Sequence, residues 1–168
     1  MTPPVRRLTL ITHVITSVGW LGAVAAFLAL ALAGWLGADA PRVRGAYLAM
    51  DLIGWTVIVP LSLASLATGL ILSLGTEWGV LRHYWVEIKL VINVLASAVL
   101  MLHMVAVRRL ADAALGAAWT GDDLRGVRAQ LLGDAAAAAI VLVIATVLSV
   151  LKPRGLTGRG RRLRARPG

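Results

Sequence analysis

The stretch LTLITHVITSVGWLGAVAAFLALALAGWLGA, Leu8 to Ala38, contains no Asp, Glu, Lys or Arg. A bilayer's hydrocarbon core is about 30 Å thick and takes roughly 20 helical residues to cross, so this run spans it with residues to spare. Three more charge-free runs follow it: Leu52 to Thr76, Leu90 to Val107 and Ala135 to Leu151. All four are apolar on every face, whereas the strands of a membrane β-barrel alternate apolar and polar residues. With charged ends reaching the headgroups, the expected spans are about 8–36, 46–74, 85–107 and 134–151. The fold class that follows is all-α: a polytopic membrane protein, with a four-transmembrane-helix bundle over residues 1–151. A basic tail, 152–168, follows it and is expected to be disordered.

Composition excludes the rival classes. The 168 residues are 59% hydrophobic and 15% charged, against about 45–50% and 25% in ordinary soluble domains. With no cysteine, disulfides, thiolate metal sites, iron–sulfur clusters and cysteine nucleophiles all drop out. Arg6 and Arg7 ahead of the first run, and Ala38-Asp39-Ala40 after it, imitate a secretory signal. The run is about twice the 7–15 residues of a signal core, so it reads as a retained span.

Four spans put both termini on one side, and basic residues select that side. The terminal segments and second loop hold ten Lys and Arg (Arg6, Arg7, Arg82, Lys152, Arg154, Arg159, Arg161, Arg162, Arg164, Arg166), against six in the first and third loops (Arg42, Arg44, Arg108, Arg109, Arg125, Arg128). The positive-inside rule then places both termini in the cytoplasm. Seven basic residues in the 17 of the tail do not make a nucleic-acid module, because interleaved aromatics and room for a fold are both missing. They read as a stop-transfer flank that attracts anionic lipid. The lipid bilayer is thus the expected partner, with a homo-oligomer or another membrane protein as candidates.

In the third loop, Asp122 and Asp123 suit a helix start near Thr120, and Leu124, Val127 and Leu131 recur at helical spacing. Helix four is expected to begin outside the membrane, and helix three to run past Arg108 to about Leu115. Spans associate through small residues and a few polar contacts. Candidate stripes are Ala25, Ala29 and Ala33 on helix one, Ser65, Gly69 and Ser73 on helix two, and Asn93 and Ser97 on helix three. Pro60 falls midway along helix two, where it frees a backbone carbonyl and can kink the helix.

Ionisable residues within spans cost about 2.5–3.5 kcal/mol on insertion scales when central, so they are functional candidates by default. His13 and Lys89 reach similar depths on helices one and three and can be neighbours. His103 and Asp51 share a depth near the other face, where an Asp–His contact would fix the imidazole tautomer. One haem iron cannot take both His13 and His103, since 14 residues separate Lys89 from His103, a rise of about 21 Å. A haem on His13, or separate sites on His13 and His103, stay open beside the structural default of a satisfied or interfacial histidine. His13, His83 and His103 are too scattered for a zinc cage. Met101 and Met104 flank His103 closely enough to suggest a soft copper site there, with Asp51 nearby.

The segment Leu10-Ile11-Thr12-His13, followed by Trp20 and Gly22, resembles the first-helix motif of a group of small bacterial membrane proteins. Trp85-Val86-Glu87-Ile88-Lys89-Leu90, with His103 beyond, is similar to their third-helix motif. The group includes CopD-like copper-resistance membrane domains, HemJ-type protoporphyrinogen oxidases and uncharacterised relatives. The resemblance touches roughly a third of the chain. It implies a four-helix membrane bundle and, in the HemJ-type branch, haem b with roles for the residues matching His13 and Lys89. In that branch a histidine lies nearer the lysine than His103 does to Lys89, which places the chain with the uncharacterised relatives rather than the oxidases.

Three functional readings emerge. The first is a membrane protein binding haem b or a related small molecule at an inner-leaflet His13/Lys89 site, with His103 as a second site. The second is a small transport or copper-handling domain using Asp51, His103, Met101 and Met104. The third is a non-catalytic assembly subunit. No catalytic residue is assigned.

Overall fold

A computed structural model describes residues 1–75, 84–116 and 124–151. Among them are four long helices: α1 (Pro3–Leu36), α2 (Ala40–Gly75), α3 (Tyr84–Leu115) and α4 (Arg125–Leu151). Each is long and apolar enough to cross a membrane, and there is no strand among the described residues. The expected helix start near Thr120, with Asp122 and Asp123, lies outside the described residues, as do His83 and the basic tail.

The prolines explain where two helices begin. Pro3 and Pro4 open α1, and Pro41 sits in the first turn of α2, where the N–H that proline lacks has no intrahelical acceptor. The α1–α2 corner needs only Gly37, Ala38 and Asp39, and the Gly37 N–H closes the last turn of α1 on the Ala33 carbonyl. A Cβ on Gly37 would lie 2.7 Å from both the Ala33 carbonyl oxygen and a Val43 methyl, so glycine is required there.

Pro60 is accommodated by a change of winding. Residues Gly54–Ile58 form a π-helical turn, and Val59 N–H bonds back to the Gly54 carbonyl, five residues earlier. In a regular helix the proline ring would meet the carbonyl four residues back, here that of Thr56. The wider turn opens the helix one residue before the proline. Gly54 also brings α2 close to α3: a Cβ there would stand 2.5 Å from Met104 Cε and 2.7 Å from its Sδ.

The helices alternate in direction and form a ring, with α1 against α2 and α4, and α3 against α2 and α4. Cross-helix contacts give the antiparallel register. His13 of α1 meets Ser65 and Thr68 of α2, whereas Gly34 at the other end of α1 meets Tyr47 near the start of α2. The core stripe of α1 is Trp20, Val24, Phe27, Ala31 and Gly34, with Thr16 below it. Its alternating four- and three-residue steps are those of helices packed nearly parallel or antiparallel.

The alanine stripe of α1, one of the candidate interfaces, faces outward. Ala25, Ala29 and Ala33 are all exposed, because the bulkier residues of the 4–3 stripe take the inward face and rotate the alanines outward. Ser65 and Ser97, from the other two stripes, are buried.

Only 22–28% of the most apolar stretch of each helix is buried within the bundle. The outward faces carry Ile15, Val18, Leu63, Leu95, Val99, Leu102, Ile140 and Val143. Water would tolerate no apolar surface of that extent on a monomer, and lipid is its natural solvent. The chain is a multi-pass membrane protein.

At the Leu36 end of α1 an arginine ties the ring together. Arg128 Nε donates to the Tyr47 hydroxyl at 2.8 Å, and Arg128 also donates to the Gly34 carbonyl. Its guanidinium stands 5.9 Å from the Tyr47 ring centre, and Arg125 stands 5.9 Å from the Trp35 ring. Tyr47, 1% exposed, occupies the space a side chain at position 34 would need, since a Cβ there would be 2.7 Å from Tyr47 Cζ.

Candidate functional site

His13 belongs to the inward stripe of α1, seven residues before Trp20. Its Nδ1 lies 3.1 Å from the Ser65 carbonyl oxygen and 3.1 Å from Thr68 Oγ1. The carbonyl can only accept, and Thr68 donates its own hydroxyl to the Ala64 carbonyl at 2.7 Å. Nδ1 therefore carries the proton, which leaves the Nε2 lone pair unprotonated in the neutral ring. Gly69 makes the close approach possible, for a Cβ there would stand 3.0 Å from His13 Cε1. Ser65, whose carbonyl His13 meets, lines a cavity together with Lys89 of α3, so the two residues paired by depth in the sequence share a neighbourhood.

Beside them, in the half of the bundle where α1 begins and α4 ends, is a cavity of about 30 Å³. Six polar side chains line it: Ser17, Ser65, Lys89, Asn93, Thr146 and Ser149, so that all four helices contribute. Trp20, Leu142 and Ala145 complete the wall. Several of the polar groups hold each other or the backbone. Ser17 and Ser65 hydroxyls share a 2.8 Å bond, and Asn93 Nδ2 donates to the Lys89 carbonyl at 2.9 Å. Thr146 and Ser149 donate to the carbonyls of Leu142 and Ala145, each at 2.8 Å. No ion pair of Lys89 occurs among the described residues.

Haem does not fit inside this cavity. The tautomer of His13 is the one an Nε2 ligand needs, but a cavity of 30 Å³ has room for about one or two waters. Pockets that enclose ligands of drug or cofactor size run to about 300–1,000 Å³.

The second candidate group is rearranged. Asp51 and His103 share a depth but find different partners: His103 Nδ1 pairs with Asp134 Oδ2 of α4 at 3.0 Å, and Asp51 Oδ2 pairs with Arg108 Nη1 of α3 at 3.0 Å. All four groups lie in the same half of the bundle, and rotation about the helix axes decides among them. Arg108, five residues beyond His103, has the length to reach Asp51 on α2, while the imidazole turns toward α4. His103 is 8% exposed in its side chain, with Nε2 buried and unpartnered, and its ring lies 5.8 Å from that of Phe27. Met104 is fully buried against Gly54, and Met101 packs at the edge of the core.

No cluster of three or more His, Cys, Asp or Glu occurs among the described residues. Asp134, read from sequence as a headgroup-level charge opening span four, is the residue that reading missed. It stands nine residues inside α4. Thr146 and Ser149, two polar residues one turn apart in an otherwise apolar span, were the legible trace of the cavity.

Comparison of the chain with protein-family models, with curated proteins and with solved structures finds no match.

Proposed function

We propose that the protein is a small transport domain of the bacterial cytoplasmic membrane, with both termini cytoplasmic, whose Lys89 cavity takes a small inorganic ion. The observation that carries this reading is the convergence of six polar side chains from all four helices on one small cavity. Polar groups within spans are expensive, and those retained usually face a pathway or a partner. A packing subunit needs no such cavity, and haem would need a far larger one. Kinship with the CopD-like group belongs to the same proposal and is supported by the short motifs around His13 and Lys89.

The test is flux into proteoliposomes loaded with sodium chloride, using radiolabelled sodium and radiolabelled chloride as separate tracers. One tracer is expected to move faster than in protein-free vesicles, and Ser149→Leu, which fills the cavity from α4, is expected to abolish the excess. Flux of neither ion above protein-free vesicles would reject transport and leave the assembly reading.

A further inference from the structure

The hydrogen-bond inventory of the cavity has a sign. Thr146 and Ser149 have spent their only protons on backbone carbonyls. The two hydroxyls of Ser17 and Ser65 share one bond, which leaves one O–H to donate elsewhere. Asn93 spends one amide proton on the Lys89 carbonyl and keeps its second. The Lys89 ammonium carries three more donors with no described hydrogen-bond or ion-pair partner.

Among the described residues, the charged side chain that lines the cavity is that of Lys89. From α1 comes His13, a base; from α3 comes Lys89; α2 offers Ser65 and Thr68, and α4 offers Thr146 and Ser149. Among the described residues, no Asp or Glu lines the cavity. Asp134, the acid of α4, is twelve residues from Thr146, about 18 Å along the helix, and is engaged by His103. An ammonium partly withdrawn from water, as half-buried Lys89 is, gains from a counter-charge, and a bound anion supplies one. Size favours a small ion: 30 Å³ is room for about two waters.

We infer that the cavity binds a small monovalent anion of halide size, held between the Lys89 ammonium, the free Asn93 amide proton and the free hydroxyl of the Ser17–Ser65 pair. The inference rests on the transport reading for its purpose but on the donor inventory for its chemistry, and the two fail separately.

The experiment is chlorine-35 NMR line broadening on the full chain in detergent, in sodium chloride, with sodium gluconate as the competing-salt control. Wild-type protein is expected to broaden the chloride line beyond empty micelles, and bromide to remove the excess while gluconate does not. Lys89→Gln is expected to weaken binding at least about tenfold, and Lys89→Arg to retain it. Asn93→Asp is the sharper variant, because it keeps the lysine and places a carboxylate one turn away as a built-in counter-ion. It is expected to weaken chloride binding by at least about tenfold in a protein whose circular dichroism is unchanged. Broadening no greater than that of empty micelles, or undiminished in folded Asn93→Asp, overturns the inference. Sodium-selective flux sensitive to Ser149→Leu would also overturn it while upholding transport. Lysine-dependent chloride binding with no flux would uphold the anion site and reject transport.

Discussion

Replacing Gly34 by alanine isolates the joint that closes the ring at the Leu36 end. The new Cβ would lie 2.7 Å from Tyr47 Cζ, 2.8 Å from its Oη and 3.0 Å from Cε1, distances at which something must move. Tyr47 cannot swing away freely, being 1% exposed and held through its hydroxyl by Arg128. Arg128 also bonds the Gly34 carbonyl itself, so shifting either partner disturbs both contacts. Overpacking of this kind costs about 1–3 kcal/mol, and losing a hydrogen bond to a charged donor costs about 1.5–3 kcal/mol. Alanine returns about 0.5–1 kcal/mol through its better helix propensity. The net expectation is a loss of roughly 1.5–5 kcal/mol, which multiplies the unfolding equilibrium by at least about ten.

Gly22→Ala in the same helix is the control. Nothing lies within 4 Å of its added Cβ, so stability is expected to stay level or rise by up to about 1 kcal/mol. The assay is equilibrium unfolding in mixed micelles, followed by circular dichroism and tryptophan emission. In a Tyr47→Leu background the Gly34→Ala penalty is expected to shrink, since the group it strikes is gone. Equal stability of Gly34→Ala and wild type, or an undiminished penalty without the tyrosine ring, would refute the steric account.

Three further outcomes are expected. Asp134→Ala strands His103 Nδ1, whose side chain is 8% exposed, and should destabilise by about 1–3 kcal/mol; in a His103→Phe background the same substitution should cost little, and a cycle with no coupling would discard the pair. Protein purified from cells with ample haem should show no Soret absorbance, and a Soret band that disappears in His13→Ala would reverse the volume argument. A reporter fused after Gly168 should be active only when cytoplasmic, as the basic flanks require, and activity from the outer face would invert the proposed topology.

Sequence and structure divide the description of this protein along a physical line. The membrane character and the four helices were legible residue by residue, because crossing lipid asks only for about 20 apolar residues in a helix, and the runs beginning at Leu8, Leu52, Leu90 and Ala135 meet that demand without reference to one another. Lys89 and His13 also came together from depth alone. Depth, however, is a single coordinate. It places Asp51, Arg108, His103 and Asp134 in one half of the bundle and says nothing about which faces which. That choice belongs to the rotation of each helix and its place in the ring, and these are set by packing: Trp20, Val24 and Phe27 turning α1 inward, Gly54 admitting Met104, and the π turn before Pro60 re-aiming the rest of α2. The same rotations gather Ser17, Ser65, Lys89, Asn93, Thr146 and Ser149 around one cavity. A polar side chain in a span is visible in one dimension, but the company it keeps is decided in three.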